Sequence, residues 1–245
     1  MTVSPEPEGP AGYSYAAVVV RATGTQAVLD RLREIRFSGW VAPPEDGWVV
    51  VVPESAESAV AVGRRGVVEV GEALAQASTG TVLVVRVLHD RQLVLVCWAG
   101  DEEVARYVSD PSREPGARAD VLDDALGVEG AEAVAEACGR PDAGEELAEL
   151  LDEGLDPDEE IESERLSRVL GLLELPAWIV SAWVLPRRMP VGPSVKDLTR
   201  LGAGRAGMLG WLAGRAARAV RRRRPAAVIA DPPRGSAGPD DLMWL

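Results

Sequence analysis

The groups from which this sequence could build a reaction centre are few: one histidine, His89, one lysine, Lys196, two cysteines, Cys97 and Cys138, and an excess of carboxylates. A nucleophilic triad would need His89 as its base, yet His89-Asp90-Arg91 reads as a hairpin turn and the chain contains no G-x-S-x-G elbow. Asp156, Asp158, Glu160, Glu162 and Glu164 alternate like calcium-loop ligands but lack the central glycine and the terminal bidentate glutamate that such a loop requires. Aromatic residues make up only 4%, which offers little surface for stacking sugars. No catalytic residue, cofactor or metal ligand is therefore assigned, and a binding protein is expected ahead of an enzyme. A carboxylate-only active site leaves no motif, so an enzyme stays as the third reading.

Two basic features stand out. The first is Gly63-Arg64-Arg65-Gly66, placed between the short segment Ser55 to Val62 and a helical stretch at Val67 to Ala77, with two strands and a helix after it. That order resembles the nucleic-acid-binding KH domain, in which a GxxG loop clamps the sugar-phosphate backbone; the resemblance would cover about 48 to 108. It implies that the glycines admit the nucleic-acid backbone while Arg64 and Arg65 meet phosphate. Taken alone, the same four residues are a surface turn with Glu54, Glu57, Glu69 and Glu72 around it.

The second feature is the C-terminal arm. Residues 196 to 224 hold Lys196 and eight arginines against Asp197, ending in Arg221, Arg222, Arg223 and Arg224. At 100° per residue, Leu198, Leu201, Met208, Leu209, Leu212, Ala216 and Val220 fall on one arc, with Arg200, Arg215, Arg218, Arg221 and Arg222 roughly opposite. The spacing predicts a basic amphipathic helix over 194–224. Gly202, Gly204, Gly207, Gly210 and Gly214 lie inside it, and each costs about 1 kcal/mol relative to alanine, so the helix needs something to pack on. A protein partner, a nucleic acid, an anionic membrane surface or the acidic half of the same chain could each provide it.

Charge divides the chain of 245 residues into three territories: net −3 over 1–100, −18 over 101–165 and +8 over 166–245. Such segregation bears on partners and solubility more than on fold. Residues 1–12 are expected to be disordered. Over 13–108 the pattern reads βαββαββα: strands at Tyr13 to Ala22, 40–42, 47–52, 81–88 and 92–99, and helices at 25–35, 67–77 and Asp101 to Val108. Pro43-Pro44-Glu45-Asp46 supplies a hairpin turn. This order predicts an α+β sandwich, a ferredoxin-like antiparallel sheet with an added strand and helices on one face. Asp110 to Ala117 marks a boundary to an acidic helical region, 118–190, with helices at 119–126, 130–138, 144–151 and from about 156 onward. Residues 225–245 read as a flexible tail.

Arginine, alanine, glycine and valine are abundant while lysine occurs once, which points to a GC-rich bacterial genome. Met1 to Gly12 shows no basic stretch followed by an apolar one, so the cytoplasm is the expected compartment, with two buried free thiols. Glu174, Pro176 and Pro186 interrupt the most apolar stretch well short of a membrane span.

Overall fold

A computed structural model describes residues 12–22, 24–114, 117, 121, 124–154 and 161–221. The first strand, β1 (Tyr15–Arg21), is apolar at almost every position because both of its faces are buried. Ala17 and Val19 enter one core and Ala16, Val18 and Val20 the other, as the two-residue period of a strand requires. The same holds for β3 (Trp48–Pro53), β4 (Thr81–Leu88) and β5 (Gln92–Ala99), whose continuous Val and Leu runs mark strands covered on both faces.

Helices α1 (Gln26–Glu34) and α2 (Val67–Ala75) bury Leu32 and Val70 on one face of the sheet. The other face is covered by α3 (Ala131–Cys138), α4 (Gly144–Asp152), α5 (Glu162–Leu172) and the 3₁₀ segment Ala177–Val184. Within 13–108 the two helices thus share one face, as expected, and the acidic region adds a further layer on the other: its Val134, Leu147, Leu166 and Ile179 share one core with Leu83 and Leu95 of the sheet.

The structure is α+β, with one eight-stranded antiparallel sheet in the order β6-β5-β4-β1-β3-β2-β7-β8. Here β2 is Gly39–Val41, β6 is Glu102–Val108, β7 is Thr199–Gly202 and β8 is Arg205–Ala206. The β2–β3 hairpin forms around the expected turn, with Asp46 and Gly47 both at positive φ, the pairing that matches strand twist. The helix expected at 101–108 is instead β6. Gly100, at φ +63°, turns the chain in a two-residue loop that pairs Ala99 with Glu102.

That correction also removes the KH-like order: only a 3₁₀ turn at Val62–Arg64 precedes α2, and a strand ends the unit. In the C-terminal arm the helix, α6 (Gly207–Arg221), starts later than the sequence suggested. Ala203 (φ +49°) and Gly204 (φ +77°) close a tight β7–β8 hairpin, and β7 adds to the sheet beside β2. Of the N-terminus expected to be disordered, 1–12, residues 1–11 lie outside the described residues, as do the expected flexible tail, 225–245, and Arg222, Arg223 and Arg224.

Candidate functional site

The two basic features, more than a hundred residues apart in sequence, are fastened to one short segment, Ile35–Ser38, that leaves the end of α1. On one side the Val62 N–H donates to the Ile35 carbonyl (2.8 Å) and the Ser38 N–H to that of Val60 (2.8 Å). On the other, the Gly204 N–H donates to the Phe37 carbonyl (2.7 Å) and the Ala203 N–H to Ser38 Oγ (2.9 Å). Phe37 is fully buried beneath this junction while Arg36 turns outward at φ +53°. A Cβ on Gly204 would stand 2.6 Å from the Arg33 carbonyl oxygen and 3.0 Å from Arg36 Cα, so the hairpin closes on α1 only with glycine there.

Arg33, Arg36, Arg64 and Arg205 are consequently exposed around the junction. Arg33 pairs with Asp30 at 2.6 Å. Arg65 bends back, its Nη1 donating to the Val62 carbonyl (2.9 Å), and its own carbonyl accepts from the Val60 and Ala61 amides. Arg65 thus stabilises the loop as well as charging it.

Helix α6 stands on the β7–β8 hairpin through its glycines. Gly210 and Gly214 are buried against Gly202, while the large apolar side chains point away: Met208 is 82% exposed, Leu209 68% and Leu212 54%. Trp211 is also exposed, and the Arg215 guanidinium lies over its ring, 4.8 Å from the centroid. Met208, Trp211, Leu212 and Arg215 follow the i, i+3, i+4, i+7 spacing of one helix face. Arg218 and Arg221 belong to α6, and their side chains lie outside the described residues.

A groove of about 600 Å³ runs between α4 and α5, lined by Glu146, Glu149, Leu150 and Glu153 on one side and by Arg168, Gly171 and Leu172 on the other. Arg168 spans it to Glu153 (2.9 Å). Sequence inspection missed this groove because amphipathic spacing shows that a helix buries one face and not what the opposite faces enclose.

Beneath the acidic layer is a buried polar network that sequence inspection also missed. Asp90, in the β4–β5 turn, accepts from the Tyr13 N–H (2.8 Å) and from Ser163 Oγ at the start of α5, and Tyr15 Oη donates to that same Oγ (2.8 Å). Two residues on, Arg165 donates to Tyr107 Oη (2.8 Å), which donates to the Leu151 carbonyl (2.8 Å). Glu162 faces Arg165 at 3.5 Å, and burial raises its carboxyl above the ordinary value against the pull of Ser109 and Arg165. Burial likewise raises the Tyr15 and Tyr107 hydroxyls and both cysteine thiols, Cys138 to about 12.

His89 sits exposed with Nδ1 3.5 Å from Ser14 Oγ and Nε2 3.9 Å from Glu57. Ser14 Oγ accepts the His89 backbone N–H (3.0 Å), which closes the turn, and at 3.5 Å its contact with Nδ1 is long for a nucleophile–base hydrogen bond. Among the described residues no helix is long and apolar enough to cross a membrane. Compared with known protein families, with curated proteins and with solved structures, the chain matches none.

Proposed function

We propose that this chain acts by binding another protein through the exposed face of α6 and does not act by chemistry. The observation that carries the reading is a helix seated by close backbone approach at Gly202, Gly210 and Gly214 while Met208, Leu209, Trp211 and Leu212 are exposed. Exposing four large apolar side chains side by side is unfavourable in a monomer unless a partner covers them. Arg215 beside them favours a partner that is acidic as well as apolar. The reading includes a basic amphipathic character for the whole arm, a bacterial origin on compositional grounds, and a cytoplasmic setting. A ferredoxin-like description of the central strands is supported by the order β4-β1-β3-β2, with α1 and α2 as the connections, and β5, β6, β7 and β8 as additions.

Affinity capture with the full chain and with Leu209→Glu/Leu212→Glu, after nuclease and at two salt concentrations, tests the reading. One protein retained stoichiometrically by the wild type and lost with the variant is expected; equal retention overturns it. Point changes are preferable to truncation at 195, because that cut also removes β7 and uncovers the edge of β2.

A second reading, a nucleic-acid-binding protein, is favoured by one observation: the Arg64-Arg65 loop and the Arg205 hairpin meet at Ile35–Ser38, gathering separate arginines at one end of the molecule. It predicts material that nuclease removes and salt disperses.

A further inference from the structure

We propose that the partner of α6 is a second copy of this chain, whose α4–α5 groove receives Met208, Trp211 and Leu212 of its neighbour. The inference rests on the protein-binding reading above and names its partner. Three features of the groove fit the face of α6. Its acids, Glu146 and Glu149, complement Arg215, and the segregation of charge along the sequence, −18 over 101–165 and +8 over 166–245, puts the two halves of that attraction on every molecule. Its lining includes the apolar Leu150 and Leu172, and its volume is in the range that accepts two or three large side chains.

The third feature is Gly171. It lies inside α5, where glycine costs about 1 kcal/mol relative to alanine, and a Cβ there would meet nothing within 4 Å. Its φ is not positive and no neighbour among the described residues crowds it, so nothing among them requires glycine. A close approach from outside does: a bare stretch of helix backbone lets a tryptophan or leucine sit flat against the groove.

The groove cannot take the α6 of its own chain. The helices that form it lie over the β5–β6 end of the sheet, and α6 is fixed to β7 and β8 at the opposite end; across eight strands at 4.8 Å spacing that is roughly 30 Å. Two different, complementary patches on one molecule make a heterologous contact, which repeats head to tail into rings or open chains. A contact built on one helix face is at the small end of specific interfaces, so assembly should depend on concentration and, through its charges, on salt.

Sedimentation velocity of the full chain from about 2 to 200 µM, at low and high salt, provides the test. The expected result is a mass that climbs past twice 26.0 kDa with concentration and falls as salt rises. Leu212→Glu spoils only the helix face, and Glu146→Arg/Glu149→Arg only the groove, so each alone is monomeric. An equimolar mixture of the two retains one intact helix face and one intact groove, and forms a capped heterodimer that grows no further. Gly171→Gln fills the groove without a change of charge, and should abolish assembly while leaving the melting temperature unchanged or higher. A wild type monomeric throughout the range, or a mixture that stays monomeric, overturns the inference. If the wild type is monomeric but Leu209→Glu/Leu212→Glu still loses a captured protein, the protein-binding reading survives and only the identity of the partner is wrong; if the variant retains that protein equally, both fail.

Discussion

A Cβ placed on Gly202 would fall 1.9 Å from the carbonyl oxygen of Gly210, so strand β7 and helix α6 meet backbone to backbone. A Cβ on Gly210 would in turn fall 1.9 Å from the carbonyl oxygen of Arg205, whereas one on Gly214 would reach Gly202 Cα at 3.4 Å, an ordinary contact.

The two glycines of α6 should therefore respond in opposite directions. Gly214→Ala gains helix propensity and stabilises α6 by up to about 1 kcal/mol. Gly210→Ala gains the same propensity but forces the helix off the hairpin at a cost of about 1–3 kcal/mol, and the net effect is a loss. Hydrogen exchange over 207–221 should show slower exchange in the first variant and faster exchange in the second, with the sheet amides unchanged in both. Equal effects would mean that α6 is not seated through these glycines.

These glycines also show where the sequence was legible and where it was not. Counted along one long helix they were penalties, because helix propensity is local; two of them in fact form a hairpin and two form a docking seam, which only the tertiary contact reveals. The strands could be read because burial on both faces writes itself as unbroken Val and Leu runs, and the helices because their apolar spacing persists. Which face of the sheet each helix covers leaves no such mark. The junction at Ser38 depends on a bond to Ala203 across 165 positions, and the Asp90–Ser163 pair on one across 73, separations at which residue type alone carries no pairing information.

Ser163 links the sheet to the acidic layer, since its hydroxyl donates to Asp90 and accepts from Tyr15. Ser163→Ala leaves a buried carboxylate and a phenol each short of a partner, and should cost about 1–3 kcal/mol in urea unfolding. Tyr15→Phe alone should cost about 1 kcal/mol. The double variant should cost less than the sum, because the second change removes a group the first had already orphaned. Strict additivity would mean that the three groups do not act as a network.

Glu162 gives a pH dependence with a definite sign. Its folded carboxyl titrates above the ordinary 4.5 because burial penalises the charge, so between those two values the folded state binds more protons than the unfolded one. Its contribution to stability is therefore greatest below 4.5 and diminishes as pH rises through the folded value. Glu162→Gln cannot titrate. Whatever it loses by leaving Arg165 without its carboxylate partner, its stability relative to wild type should rise with pH across that window. Urea midpoints for both proteins between pH 4 and 8 would show the difference, and a constant offset would assign the burial effect elsewhere.

Cys97 and Cys138 share the core under the acidic layer, and burial raises both thiols well above neutrality, Cys138 to about 12. Thiolate is the reactive form, so neither should be labelled by a thiol reagent at pH 8 in the folded protein, and both should react once it is unfolded. Because the groove surrounds neither residue, the folded protein should remain unreactive whether it is monomeric or assembled. Labelling of one thiol at low concentration only would instead place that cysteine beside the contact between copies.

Arg64 and Arg65 distinguish the second reading from the first. If the loop meets phosphate, Arg64→Ala/Arg65→Ala should weaken binding to every nucleic-acid sequence alike and reduce the slope of log affinity against log salt by about 1.8, since each contact with duplex DNA contributes about 0.9. Arg65 also closes the turn through its bond to the Val62 carbonyl, so Arg65→Ala is read together with a far-UV check of the fold, whereas Arg65→Lys keeps the charge. Restoration of the slope by lysine at both positions identifies a charge contact. An unchanged slope in the alanine pair leaves the loop a structural turn and removes it from the nucleic-acid reading.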